Sequence, residues 1–206
     1  MYFGLVPRRR GSRAGRVAAA AAALACITAA PVAAALIPAA LVAPLPAAGA
    51  ATSGGGAGRW PADPVATAML LADARVRLST AARADIGAGT VDGRVVDVLA
   101  LLARNHSLAV SVVRTGHNEF VAGTGRISNH FFGRAVDVVA IDGEAVSAAS
   151  APARVAVHEL LAAPDPLRPA ELGCPFPDVA APGAFSDAAH RDHLHIGFTA
   201  PPPQPP

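Results

Sequence analysis

Apolar residues recur at helical spacing in three parts of the chain and run consecutively in three others. Residues three and four apart share one face of a helix, so the first pattern predicts three amphipathic helices. A polar residue suited to capping the first turn stands at the start of each one. The three expected helices span Pro64 to Leu78 behind Asp63, Asp92 to Arg104, and Ser150 to Ala163.

The second pattern predicts strands, because short runs rich in β-branched residues favour a pleated, half-buried surface. The expected strands are Ser107 to Arg114, Arg134 to Ile141 and Leu194 to Phe198. Asp142-Gly143 ends the second strand and is typical of a tight turn. Helices and strands do not alternate regularly, so the fold class expected is α+β, with a small, mainly antiparallel sheet and flanking helices.

These elements fall within residues 64–199, which we expect to form one domain. Glycine and small residues dominate residues 49–63 and predict a flexible linker. Residues 200–206 are rich in proline and predict an extended tail.

Residues 1–48 differ in composition from everything that follows. Five arginines precede a long alanine-rich apolar run, the arrangement of an export signal. The run is also long enough for a membrane anchor, since about 20 apolar residues span a bilayer. The segment therefore predicts an exported protein, either released into the cell wall or held at the membrane facing outward.

The overall charge of +2 comes from this segment. Residues 49–206 contain twelve arginines and all fifteen acidic residues, so their net charge is −3. That balance gives no reason to expect nucleic-acid binding. We expect a monomer whose partners are found outside the cell.

The chemistry suggested by the sequence centres on two short segments. His130 stands seven residues before Asp137. His193 and His195 are two residues apart at the start of the last expected strand, where extended backbone points both side chains to one face. Two imidazoles and one carboxylate form a ligand set that catalytic zinc uses, with a fourth position left open. His130, Asp137 and His195 are the candidate ligands.

The two segments together match a known pattern. Ser128, His130, Gly133, Ala135 and Asp137 give S-x-H-x-x-G-x-A-x-D, and residues 193–195 give H-x-H. The pair resembles the zinc D-Ala-D-Ala peptidases of the lysostaphin, D-Ala-D-Ala metallopeptidase and hedgehog superfamily. The resemblance covers about residues 107–198.

The resemblance implies a zinc peptidase that acts on peptidoglycan peptides, next to a D-amino acid. It assigns zinc to His130, Asp137 and His195, and places Ser128 along the substrate cleft.

Three further roles follow from the resemblance. Asp192, three residues before the last ligand, takes the position of the general base. His193 is expected beside the metal or at the oxyanion, and Arg114, after the preceding strand, matches the arginine that stabilises the oxyanion. Asp192 is shorter than the glutamate usual at its position.

Two other interpretations remain open at this point. A non-catalytic, zinc-containing module on the same scaffold would bind wall peptides or a partner without cleaving anything. A structural protein would hold no metal at all. His117 and His190 lie near the motifs in sequence, and the simpler interpretation places them in exposed loops.

Overall fold

The computed structural model describes residues 58–201. Four helices lie in this part of the chain, and polar side chains cap their first turns as Asp63, Asp92 and Ser150 were predicted to do. The helices are α1 (Pro64–Ala72), α2 (Thr80–Gly87), α3 (Gly93–Leu102) and α4 (Ala151–Ala162).

Seven strands form one sheet. They are β1 (Val76–Leu78), β2 (Leu108–Val112), β3 (Ala135–Ile141), β4 (Glu144–Ala145), β5 (Glu171–Gly173), β6 (Ala184–Phe185) and β7 (Leu194–Gly197). The order across the sheet is β1-β2-β3-β7-β5-β6, and β4 pairs with β3. The predicted α+β class is therefore confirmed.

The prediction of a mainly antiparallel sheet was wrong, because the sheet is mixed. β3 pairs antiparallel with β2, β4 and β7, but β1 runs parallel to β2 and β6 runs parallel to β5. A parallel pair needs a crossover connection, and α2 and α3 supply it between β1 and β2. The outer strands have two or three residues, too few to show a period-two pattern.

Other predicted elements also differ from the observed ones. In α2 the one large apolar side chain is Ile86, so that segment shows no helical pattern. The helix expected over Pro64 to Leu78 ends at Ala72, and its last three residues form β1 instead. The sequence pattern also missed α2, β4, β5 and β6. The turn expected at Asp142-Gly143 is present, with both residues at positive φ of 52° and 80°, as a two-residue hairpin requires.

The core lies between the sheet and the helices. The central strands β3 and β7 contribute buried residues from both faces. α4 packs against β3, α2 packs against β1 and β2, and α3 packs against α1 and α4. All four helices contribute apolar residues to one buried cluster. Burial of this apolar area stabilises the domain and fixes the two central strands against each other. These two strands carry Asp137 and His195.

Residues just before α1 lie against the domain, although they belong to the predicted linker. The backbone N–H of Trp60 donates to Asp92 over 3.0 Å, and that of Gly93 donates to the Trp60 carbonyl over 2.9 Å. The buried Arg94 pairs with Asp92 at 2.8 Å and donates to the Thr199 carbonyl, which joins both ends of the domain.

The expected signal or anchor at residues 1–48 lies outside the described residues, as do the first part of the expected linker and residues 202–206 of the tail. Among the residues that are described, no helix is long and apolar enough to cross a membrane.

Candidate metal centre

The register of β3 against β7 places two candidate ligands side by side. Asp137 and His195 are direct partners across this antiparallel pair. Residues opposite each other on neighbouring strands have side chains on the same face, about 5 Å apart at Cβ. His195 Nδ1 lies 3.3 Å from Asp137 Oδ1 as a result.

A tight turn ahead of β3 presents the third candidate ligand, His130. The Ser128 hydroxyl accepts a hydrogen bond from the His130 backbone N–H over 3.2 Å, and the Gly133 N–H donates to the His130 carbonyl over 2.8 Å. Gly133 has a φ of +68°, and a Cβ there would stand 2.3 Å from the carbonyl oxygen of Thr90. The motif therefore needs glycine at this position for both backbone conformation and space.

Three side-chain atoms converge from these elements. His130 Nε2 lies 3.1 Å from Asp137 Oδ1 and 3.1 Å from His195 Nδ1, which closes a triangle with the 3.3 Å contact described above. The His130 side chain is fully buried, and those of Asp137 and His195 are about nine-tenths buried.

The far nitrogen of each histidine ring is held by an acceptor. His130 Nδ1 lies 2.6 Å from the carbonyl oxygen of Val113, and His195 Nε2 lies 3.4 Å from Glu171 Oε2. A carbonyl or carboxylate oxygen accepts only, so the ring proton sits on those far nitrogens. The near nitrogens then turn lone pairs toward an anionic carboxylate, an arrangement that needs either a proton or a metal cation between them.

The charges in this centre shift its pKa values strongly. Burial alone would lower the pKa of His195, but hydrogen bonds to Asp137 and Glu171 raise it to about 9. Burial alone would raise the pKa of Asp137, yet His130 and His195 hold it well below its usual range. The hydrogen bond from His195 lowers the pKa of Glu171 to about 2. Both carboxylates are thus anionic at neutral pH and attract a cation.

His117 joins this group, although the sequence placed it in an exposed loop. It is exposed, as expected, but its ring stacks on His130 with a centroid distance of 4.1 Å. One ligand atom of each of His117, His130 and Asp137 lies within 4.8 Å of the others, so these three side chains could hold a metal ion. No spacing rule in the sequence pointed to His117.

His193 also faces the centre, and Asp192 does not. His193 Nε2 is 3.8 Å from Asp137 Oδ1, while its Nδ1 is 2.9 Å from Asp192 Oδ1. The Asp192 side chain is 86% exposed, on the side of His193 away from the centre. The hydrogen bond from His193 lowers the pKa of Asp192. The structure therefore does not bring the predicted base to the candidate ligands.

Arg114 hydrogen-bonds to none of the candidate ligands and is not among the residues that line the cleft beside them. Its backbone N–H donates to the buried Asp85 over 3.1 Å, and its Nε donates to the carbonyl oxygen of Phe131 over 3.1 Å. The guanidinium thus ties the loop after β2 to the turn that carries His130.

The centre opens into a cleft of about 540 Å³. Ser128 borders it together with Asp137, His193 and His195. Sequence analysis missed several other polar residues of the cleft, Glu171 and Arg126 among them. Glu171 lies on the short β5, which had no pattern, and Arg126 precedes the motif by two residues without any spacing that marks it.

No family model matches the chain, and the comparisons with curated proteins and with solved structures found no match. The candidate function therefore follows from the motif resemblance and from the arrangement of side chains described above.

Proposed function

We propose that this chain is an exported zinc-dependent peptidase that hydrolyses peptidoglycan peptide bonds next to a D-amino acid, and that it works as a monomer outside the cell. The observation that carries the proposal is the convergence of His130 Nε2, Asp137 Oδ1 and His195 Nδ1. The hedgehog and D-Ala-D-Ala metallopeptidase type of fold is part of the same proposal.

The triangle of ligand atoms fits zinc in size and in chemistry. A tetrahedral zinc site with bonds of about 2.0–2.1 Å holds its ligand atoms about 3.3 Å apart. The three distances here are 3.1, 3.1 and 3.3 Å. Glu171 contacts the Nε2 atom of His195, on the side of the ring away from the candidate ligand atom Nδ1. Carboxylates in this position raise the basicity of an imidazole that binds a metal.

Zinc held by these three side chains would lower the pKa of a bound water to about 7 and polarise the scissile carbonyl. In the hydrolysis, water supplies a hydroxyl to the carbonyl carbon and a proton to the leaving nitrogen as the C–N bond breaks. The chain must supply a group that moves that proton.

His193 is the side chain placed to do this. Its Nε2 faces the centre, and Asp192 accepts from its Nδ1. A carboxylate on one nitrogen fixes the tautomer and leaves the other free to accept a proton, which His193 can then pass to the leaving amine. Asp192 thereby changes role in this proposal, from general base to the residue that orients His193. Arg114 is assigned no part in the reaction.

One observation favours a second candidate, a non-catalytic zinc module that binds wall peptides. A zinc peptidase needs a base at the metal, and the carboxylate at the expected position points into solvent. If His193 does not serve in its place, the centre would bind zinc and peptide without cleavage.

Metal content by inductively coupled plasma mass spectrometry on residues 58–206 tests the proposal. We expect one zinc per chain, and less than a tenth of that in His195→Ala. His158→Ala is the matched control, because His158 is exposed on α4 and should leave the zinc in place.

Digestion of purified muropeptides then separates the two candidates. Release of a D-amino acid or of a shortened stem peptide, lost in His195→Ala, supports the peptidase. Zinc with no product favours the binding module, and a protein without zinc contradicts both.

A further inference from the structure

A hairpin-like loop forms one wall of the cleft. Phe120 and Ile127 pair across it, the Val121 N–H donates to the Arg126 carbonyl over 2.9 Å, and the Ser128 N–H donates to the Glu119 carbonyl over 2.8 Å. The backbone of this wall is therefore ordered by its own hydrogen bonds, and it ends at the motif serine.

The cleft is lined by side chains of two kinds. Histidines and carboxylates line it around the candidate ligands. Apolar groups of two segments form its apolar walls, with Phe120, Val121 and Ala122 on the hairpin-like loop and Phe185 and Ala189 on β6 and the segment after it. Arg126 is the one arginine among the described residues that line the cleft.

Glu171 holds Arg126 close to the candidate ligands. Arg126 Nη1 lies 3.2 Å from Glu171 Oε1, and the other oxygen of this carboxylate contacts Asn129 Nδ2 at 2.9 Å and His195 Nε2 at 3.4 Å. A single carboxylate thus separates the guanidinium from a candidate zinc ligand.

Most of the guanidinium remains available. The Arg126 side chain is 66% exposed, and among the described residues only its Nη1 makes a side-chain hydrogen bond. Guanidinium carries five N–H donors in a planar fork that matches a carboxylate in two-point geometry. The remaining N–H groups can donate to a carboxylate of a ligand in the cleft.

We propose that Arg126 binds the free terminal carboxylate of the substrate, so that the enzyme removes the last residue of a peptide and does not cut within a chain. This rests on the proposed peptidase function and names its substrate class. The apolar walls suit a small side chain such as that of alanine, and the arginine distinguishes a peptide end from an internal bond.

The test compares N-acetyl-D-alanyl-D-alanine with the same dipeptide amidated at its C-terminus, on the zinc-loaded protein. We expect kcat/KM for the acid to exceed that for the amide by about 10- to 100-fold, the usual contribution of a hydrogen-bonded charge. Arg126→Gln should remove that preference by lowering kcat/KM for the acid alone. Arg77→Gln, an exposed arginine on β1 outside the cleft, should keep it.

Equilibrium binding of both peptides, followed by NMR titration, separates this inference from the peptidase proposal. Tighter binding of the acid that disappears in Arg126→Gln supports the inference even if neither peptide is cleaved. Equal kcat/KM for acid and amide, an unchanged preference in Arg126→Gln, or no binding preference without cleavage would each overturn it. In the first two cases the peptidase proposal stands.

Discussion

The centre and the rim of the cleft are built in different ways. The centre consists of His130, Asp137 and His195, whose side chains are buried and fixed by strand register and by one tight turn. The rim consists of Arg126 and the Asp192–His193 pair, carried on loops, with Asp192 and Arg126 largely exposed. Backbone geometry therefore determines the centre, whereas loop conformation determines which residues act beside it.

The largest effect is expected from a change that breaks the centre through its backbone. Gly133→Ala places a Cβ against the Thr90 carbonyl at a positive φ. We expect a loss of about 3 kcal/mol in the free energy of unfolding, because strain and a backbone clash add. Urea unfolding of the purified variant measures this.

Gly116→Ala is the matched control for that variant. Gly116 also has a positive φ, +96°, but a Cβ there has no neighbour within 4 Å. It should lose only about 1 kcal/mol, from conformational strain alone. Equal losses in both variants would show that the clash with the Thr90 carbonyl adds nothing to the loss in the free energy of unfolding.

The next prediction concerns kcat, which should fall in variants of the rim that still bind zinc at the centre. His193→Ala should retain zinc and lower kcat by about 10²- to 10⁴-fold, as removal of a general base does. Asp192→Ala should lower kcat by only about tenfold, since Asp192 orients His193 and does not reach the centre. Muropeptide turnover and zinc content, measured on both variants, give the ranking. A larger loss in Asp192→Ala than in His193→Ala would restore Asp192 as the base.

A smaller effect is expected at Glu171, which contacts the ligand His195 without belonging to the centre. Glu171→Gln keeps the shape of the side chain but removes the charge facing His195, and outer partners of this kind contribute about 10- to 100-fold to metal affinity. Competition with a chromophoric chelator measures the change. Asp187→Asn is the matched control, since Asp187 holds His190 at 2.7 Å in the same cleft without contacting a candidate ligand.

The same contrast explains what could be predicted from the sequence. His130, Asp137 and His195 were identified from three signals: their residue types form a zinc ligand set, His193 and His195 have strand spacing, and the two motifs resemble a known family. Their proximity is now explained by the register of β3 and β7. The peptidase activity and the identity of the metal stay predictions.

Sequence analysis missed Arg126 of the rim, and also His117 and Glu171 beside the centre, because their positions depend on contacts distant in sequence. His117 reaches His130 by ring stacking, and Glu171 lies on a three-residue strand whose position depends on pairing with β7. The motif also suggested Asp192 by position alone, without indicating which way its side chain points. Short strands β1 and β6, which make the sheet mixed, were missed for the related reason that so few residues show no period.

An effect that is graded with pH comes from the centre itself. In the metal-free protein Asp137 and Glu171 raise the pKa of His195 to about 9, above the unfolded value of about 6.5. The proton on His195 therefore contributes stability that is fully present below pH 6.5 and lost as the pH rises through about 9.

Zinc must displace that proton from His195, so the apparent affinity for zinc should rise by about tenfold per pH unit over the same range. Titration calorimetry in two buffers of different ionisation enthalpy should report close to one proton released per zinc at about pH 6, where a zinc-bound water with a pKa of about 7 keeps its own proton. Thermal unfolding of the chelated protein should show stability falling from pH 6.5 to 9, while the zinc-loaded protein does not. A metal-free protein whose stability is flat over that range would mean that the acidic side chains do not hold a proton on His195, and that metal and proton do not compete for this centre.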